Sequence, residues 1–184
     1  MKSIFLKYRF HVIICAGMLI YLLFAKDIYN HFFITIGRPI LENSTLPAEN
    51  DAIKFHIDLF EPSTFKGQTY YSMVGWAFST LDPKKPPEDY KRLIVIISEK
   101  RNYSISVDSY SRPDIQKYYQ SLGMELNESG FRSQVAPDFI KPGTYRIGMV
   151  FTDPKDGSSF IKITNKILIR TPNQLQISVS PPTP

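Results

Sequence analysis

Cysteine is nearly missing from this chain, and its scarcity limits what holds the fold together. The one cysteine among 184 residues, Cys15, lies in an apolar run near the N-terminus. The rest of the chain therefore cannot form an internal disulfide, and a domain of about 130 residues must be stabilised by its hydrophobic core. We interpret Cys15 as a small apolar residue, and cysteine nucleophile chemistry is excluded for the residues after it.

Histidine is also rare, and the familiar catalytic motifs are missing. His11, His31 and His56 lie far apart in the sequence, which does not favour a metal site. No phosphate-binding loop, dinucleotide fingerprint, serine nucleophile elbow or zinc-peptidase motif is present. We therefore expect no enzyme activity, no catalytic residue, no bound metal and no cofactor. A hydrolase or transferase with an unrecognised site is kept as the third alternative.

The excess of positive charge lies mainly at the N-terminus. The net charge is +5, but residues 1–26 carry Lys2, Lys7, Arg9 and Lys26 without any acid. No dense stripe of Lys and Arg with interleaved aromatic residues occurs elsewhere, so we expect no nucleic-acid partner.

An uncharged apolar run, FHVIICAGMLIYLLFA, occupies residues 10–25. As a helix it is about 24 Å long, and its apolar flanks extend it toward the roughly 30 Å of a hydrocarbon core. We predict a cytoplasmic basic end at 1–9 and a transmembrane signal anchor at 10–28. A cleaved signal peptide and a buried core helix are the alternatives. The positive-inside rule puts the N-terminus in the cytoplasm, with the bilayer as a partner and the C-terminal domain outside the cell membrane.

Beyond the anchor, the sequence predicts a juxtamembrane stalk at 29–50, a β-domain at 51–180 and a proline-rich tail at 181–184. Apolar residues alternate with polar ones in short runs that are separated by proline- or glycine-bearing turns. This pattern predicts a mainly β protein, an antiparallel β-sandwich of seven or eight strands. The predicted strands are 52–60, 68–79, 91–98, 103–108, 130–136, 144–152, 159–170 and 175–180.

One segment, SYSRPDIQKYYQ at 109–120, departs from the alternation and predicts a short helix. Ser111 is expected to cap this helix through the N–H near Asp114, and Pro113 suits its first turn. We expect an apolar face that includes Ile115 and Tyr118, on a connector that carries the chain from one sheet to the other and covers the open end of the sandwich.

The order GWAF (75–78), SRPDIQKYY (111–119), GF (130–131) and KPGTYRIGMVF (141–151) resembles Ig-like sandwich modules of bacterial exported and membrane-linked proteins. Some of these modules occur alongside machinery for cell-surface polysaccharide. The resemblance covers about 70–150 and the strands beyond it. It implies an accessory, non-catalytic domain and no particular ligand.

Three residues are candidates for binding, each with a structural alternative. Trp76 is either a core residue or a platform on which a sugar ring stacks. Arg112, with Asp114, either fixes the helix to a strand carboxylate or carbonyl, or recognises an anion or sugar. The sequence thus predicts a single-pass, membrane-anchored, extracytoplasmic binding or scaffold domain, whose partner is an envelope protein or a polysaccharide. A carbohydrate-recognition module serving surface-polysaccharide synthesis is the second hypothesis.

Overall fold

The computed structural model describes residues 40–42, 45–65 and 67–179. The predicted cytoplasmic end, the anchor at 10–28, the stalk up to residue 39 and the tail at 181–184 lie outside the described residues. Within the described part, none of the helices combines the length and the hydropathy that a membrane crossing requires.

The described residues are mainly β-structure, as the alternating pattern predicts. Each of the eight predicted strands has a counterpart, and the total rises to eleven because of three short ones, β1, β2 and β7. The strands are β1 (Ile40–Glu42), β2 (Ala48–Glu49), β3 (Ile53–Phe65), β4 (Gln68–Ser79), β5 (Lys91–Ile97), β6 (Asn102–Ser106), β7 (Asp108–Tyr110), β8 (Gly130–Val135), β9 (Gly143–Thr152), β10 (Ser159–Arg170) and β11 (Leu175–Val179).

The strands form two sheets. The first sheet has the order β1-β6-β5-β9-β10-β11. The short β2 is not part of this series and pairs in parallel with Phe160 and Ile161 of β10. The second sheet has the order β3-β4-β8-β7, and every described pair other than β2–β10 is antiparallel. Since one buried cluster contains side chains from both sheets, the sheets pack face to face in a sandwich-like arrangement.

The main core lies between the sheets and follows the period of two. Along β4, Met73 and Ala77 are fully buried, and along β9, Ile147 and Met149 are fully buried. Full burial of each of the larger side chains contributes about 1.5–3 kcal/mol. Alternation within each strand is therefore sufficient to assign most core positions.

A bulge in β3 corrects one predicted core position. The sequence puts Ile53, Phe55, Ile57 and Leu59 on one face, but the pairing register with β4 shifts between Ile57 and Leu59. An extra residue in one strand reverses the alternation beyond it, so Ile57 is buried whereas Leu59 is 43% exposed.

The first sheet is apolar on its outer face as well. Val95 and Ile97 of β5 form a buried cluster there with Val150 and Ile161. Leu46, from the connection between β1 and β2, packs against this cluster. The β5 strand lies between β6 and β9, which confirms the prediction that this segment, apolar on both faces, is a central strand.

The predicted helix exists as α1 (Pro113–Tyr118), but its position in the fold differs from the prediction. It connects β7 to β8, which are neighbours in the second sheet, and the chain passes between the sheets earlier, at Val107. Pro113 begins the helix as predicted. Ser111 does not cap it, because Arg112 occupies the cap position and the Ser111 hydroxyl donates to Asn127 Oδ1 at 3.0 Å.

Candidate functional site

Trp76 lies on the outer face of the second sheet, opposite the core-facing side chains of β4. Its indole is half-buried and stacks on the imidazole of His56, with ring centroids 6.0 Å apart and planes at 25°. His56 occupies the paired position on β3, which fixes this contact through the strand register. Phe78 also stacks on Trp76, at 5.7 Å and 22°. Trp76 is therefore neither a residue of the main core nor a freely exposed ring.

The segment that follows β7 covers this outer face with a second, smaller core. Phe78 is fully buried against Ile115 of α1 and against Met124 and Leu126. Gln116 fastens the segment, since its amide nitrogen donates to the Met124 carbonyl at 2.9 Å. The helix thus packs on the back of a sheet rather than over the open end of the sandwich, and this placement corrects the predicted role of the connector.

Two tyrosines of this segment extend the stack toward solvent. The Tyr119 ring lies 5.6 Å from Trp76 and 5.0 Å from Phe78, and burial raises the pKa of its phenol. Tyr118 meets Tyr119 edge to face at 4.8 Å and is 77% exposed. We name His56, Trp76, Tyr118 and Tyr119 the aromatic face, which rests on the fully buried Phe78 ring.

Arg112 is the centre of a charged cluster beside the aromatic face. Its Nε and Nη2 atoms donate to the two carboxylate oxygens of Asp114 at 2.8 and 2.7 Å, and Nη1 donates to Asp58 of β3 at 2.6 Å. The hydrogen bonds from Arg112 hold the pKa of Asp114 below its ordinary value, and those same bonds raise the pKa of Arg112. The pairing with Asp58 fixes α1 to β3, as the structural alternative for Arg112 predicts.

The three predicted binding residues belong to one connected surface. Trp76 stacks on His56, whose Nε2 lies 3.8 Å from Asp58, and Asp58 binds Arg112, which binds Asp114. Rings of this kind stack on apolar faces of ligands, and carboxylate oxygens with remaining lone pairs accept hydrogen bonds from hydroxyl groups. The surface thus combines apolar contact with polar recognition groups.

A buried arginine, absent from the predicted site, ties the two sheets together. Arg92 of β5 is 5% exposed, and its guanidinium donates to the carbonyls of Ala77 at 3.1 Å and Ser129 at 3.0 Å and to the Ser109 hydroxyl at 2.6 Å. It also reaches the carbonyls of Glu128 and Gly130. Burial lowers its pKa to about 10. The sequence could have indicated this burial, because Arg92, Ile94 and Ile96 are alternate residues of KRLIVII and therefore point to the same, inward-facing side of the strand.

A cavity of about 450 Å³ lies near Ile97, at the end of β5 away from Arg92. It adjoins the turn between β5 and β6, and its lining comprises Leu46, Ile97, Ser98, Glu99, Asn102, Thr144, Tyr145, Arg146 and Ile167. A second cavity of about 350 Å³ shares Ser98, Glu99, Thr144 and Tyr145 with it and adds Lys100 and Arg101. Nothing in the sequence patterns pointed to this place.

The acidic turn between β9 and β10 uses its carboxylates for local structure. Asp153 receives a contact from Lys85 Nζ at 2.5 Å and a hydrogen bond from the Lys155 N–H at 2.8 Å. Asp156 accepts from the Ser158 N–H at 2.8 Å. Across the described residues, no group of three or more His, Cys, Asp or Glu side chains is positioned to hold a metal ion, and His11 and His31 lie outside them.

No protein family, curated protein or solved structure is found to match this chain. The fold and the geometry of its surfaces are therefore the basis on which a function can be proposed.

Proposed function

We propose that this chain is a non-catalytic binding domain of the cell envelope, and that the aromatic face is its recognition surface. The observation that carries the proposal is Tyr118, an aromatic side chain that is 77% exposed and in edge-to-face contact with a packed series of rings. Exposed aromatic residues on a rigid support are the usual anchors of protein recognition surfaces. Here the support is rigid because the rings rest on β4 and are fastened by Arg112 and Gln116.

The location at the envelope rests on the N-terminal sequence. We propose that residues 10–28 anchor the chain in the bilayer, with residues 1–9 in the cytoplasm and the β-domain outside. The Ig-like identity of the domain is part of the same proposal. Its support is the two-sheet arrangement of mainly antiparallel strands together with the order of the GWAF, SRPDIQKYY and KPGTYRIGMVF segments.

A carbohydrate-recognition module accessory to surface-polysaccharide synthesis is the second candidate. The proximity of carboxylates to the aromatic face favours it, because Asp114 is 61% exposed at its side chain and Asp58 is 35% exposed. Sugar hydroxyls donate to such oxygens while the C–H face of the ring stacks on an aromatic side chain.

Site-directed photocrosslinking tests the proposal and separates the two candidates. A photoreactive phenylalanine analogue replaces Tyr118 in the full chain expressed in its own cells, and ultraviolet light then fixes whatever lies against that position. We expect one dominant adduct. Partner peptides found in the adduct by mass spectrometry identify a protein partner, and loss of the added mass on treatment with glycosidases identifies a polysaccharide.

The matched control places the same analogue at Gln176, an exposed position on β11 of the other sheet. An adduct at Tyr118 that is missing at Gln176 supports the recognition surface. Equal adducts at both positions, or none at either, contradict it.

The anchor has its own test: the chain should remain with the membrane in alkaline carbonate, and protease added outside intact spheroplasts should digest the β-domain. A β-domain protected from that protease contradicts the proposed orientation.

A further inference from the structure

The outer face of the first sheet is apolar, although it points away from the main core. The buried cluster on this face comprises Val95, Ile97, Val150 and Ile161, with Leu93 and Ile163 packed against it. In many antiparallel sheets one face packs on the core and the other meets solvent, so a second apolar face requires a cover.

Leu46 is part of that cover. It is the one described member of the cluster that comes from outside the sheet, since the others belong to β5, β9 and β10. The connection that contains Leu46 leads from β1, which pairs with β6 at one edge, to β2, which pairs with β10 near the opposite edge. Because Leu46 contacts the outer cluster, this connection passes over the outer face. We name residues 45–50 the strap.

Few interactions hold the strap to the sheet. The β2 strand pairs with β10 over only two residues, and the pairing is parallel, which is slightly the weaker kind. The Asn50 N–H donates to the Ile161 carbonyl at 2.9 Å. Lys162 Nζ lies 3.8 Å from Glu49 Oε1, in a solvent-accessible ion pair that contributes little. Segments with few buried contacts and accessible backbone hydrogen bonds open locally while the rest of a protein stays folded.

A turn separates the strap from the sandwich. Asn50 Oδ1 accepts from the Ala52 N–H at 2.9 Å, and the Asn50 carbonyl accepts from the Ile53 N–H at 3.3 Å. Beyond the turn, the Ala52 carbonyl accepts from the Thr80 N–H at 2.9 Å, and Ile53 begins the pairing of β3 with β4. The strap can therefore leave β10 without disturbing the second sheet.

We propose that the strap opens as a unit while the sandwich stays folded, and that its opening uncovers the apolar outer face of the first sheet. The strap acts as a lid, because the Leu46 side chain leaves this face together with the backbone of β2. The aromatic face lies on the second sheet, so this device does not depend on the proposed recognition surface.

Amide hydrogen exchange of the full chain in detergent micelles, followed by NMR, tests the opening. The Asn50 amide reports on the strap, and the Met149 amide of β9, a central strand, reports on the sandwich. We expect Asn50 to exchange about a hundredfold faster than Met149 and to depend weakly on urea below the unfolding transition, since a local opening exposes little surface. Equal exchange rates with equal urea dependence would mean that the strap and the sandwich open only together, and would overturn the proposal.

Substitution of Leu46 tests what holds the strap. The loss of apolar contact in L46A should accelerate the exchange of Asn50 about tenfold and leave that of Met149 unchanged. L122A is the matched control, because Leu122 is 43% exposed and lies in the segment that covers the second sheet, and it should leave Asn50 unchanged. If L46A changes neither amide, or accelerates both equally, the strap is not a separate unit and the proposal fails.

Thiol labelling tests whether the face is uncovered. In a C15A background, V150C puts a thiol on the outer face of β9, and M149C puts one on the core face of the same strand. L46A should increase the rate at which a water-soluble maleimide modifies V150C about tenfold, the factor expected for Asn50 exchange, and should leave M149C unreactive. A V150C rate that stays constant while Asn50 exchange accelerates would mean that opening does not uncover the face, and would also overturn the proposal.

Discussion

Replacing the buried Arg92 by methionine is the most informative perturbation of this fold. Methionine keeps much of the volume of the side chain but removes all of its hydrogen-bond donors. Two guanidinium nitrogens of Arg92 serve five acceptors, among them Ala77 O at 3.1 Å and Gly130 O at 3.2 Å. These acceptors belong to the second sheet and to the loop that precedes β8. R92M therefore removes the hydrogen bonds from Arg92 that join the two sheets at this end of the sandwich.

The expected loss is the balance of two opposing contributions. Hydrogen bonds from a charged donor contribute about 1.5–3 kcal/mol each, so the four N–H groups on the two terminal nitrogens contribute about 6–12 kcal/mol. Burial opposes this, because it lowers the Arg92 pKa to about 10, which corresponds to about 3 kcal/mol against the charged form. Since the hydrogen bonds are not additive, we expect R92M to lose about 3–5 kcal/mol, near the lower end of this balance, because it leaves several buried acceptors without donors.

Unfolding in urea measures this loss. Trp76 is the only tryptophan, so its fluorescence reports on the second sheet while circular dichroism reports on the whole fold. R92K keeps a positive charge with three donors and should recover part of the loss, and R132M should cost less than about 1 kcal/mol because Arg132 is exposed. An R92M midpoint equal to that of the unsubstituted chain, at an unchanged slope, would refute the assignment of Arg92 as a tie between the sheets.

Three further predictions concern the second sheet and its helix. G75A should destabilise the domain by about 1–3 kcal/mol or prevent folding, because an added Cβ would lie 2.1 Å from the His56 carbonyl oxygen; thermal unfolding measures this. The Asp114 carboxyl should titrate below 3.8 by NMR and return toward that value in R112Q. Because the folded pKa is the lower one, the stability contributed by Asp114 is present above pH 3.8 and is lost as the pH falls through the folded pKa. Finally, I115D should unfold the α1 segment whereas Y118D should fold normally, as monitored by Trp76 fluorescence.

The outcomes that would contradict these predictions differ. A G75A variant of unchanged stability would mean that β3 and β4 separate without cost. An Asp114 titration that is insensitive to R112Q would mean that the ion pair is not formed in solution. If Y118D unfolds as readily as I115D, Tyr118 packs inward, as the helical pattern alone predicts, and the proposed recognition surface loses its exposed anchor.

The strands were predictable from the sequence because a residue's face in a sheet depends on its immediate neighbours. The 68–79 segment alternates cleanly, and the boundaries predicted for it and for 159–170 match β4 and β10. The helix at Pro113 was also predictable, since proline and a following acid favour a first turn wherever the helix packs. Leu59 and Tyr118 were misplaced for a common reason: a bulge in β3 and the orientation of α1 depend on contacts with other elements.

By itself, the sequence determined the class of fold, the order of its strands along the chain, the central position of β5 and the apolar segment that we propose as a membrane anchor, because each depends on local periodicity and composition. Only the tertiary structure decided that the helix packs on the back of the second sheet, that Arg92 joins the sheets, and that Trp76, Arg112 and Asp114 share one surface. These features join residues such as Asp58 and Arg112, which lie 54 positions apart in the chain, so no local pattern contains them.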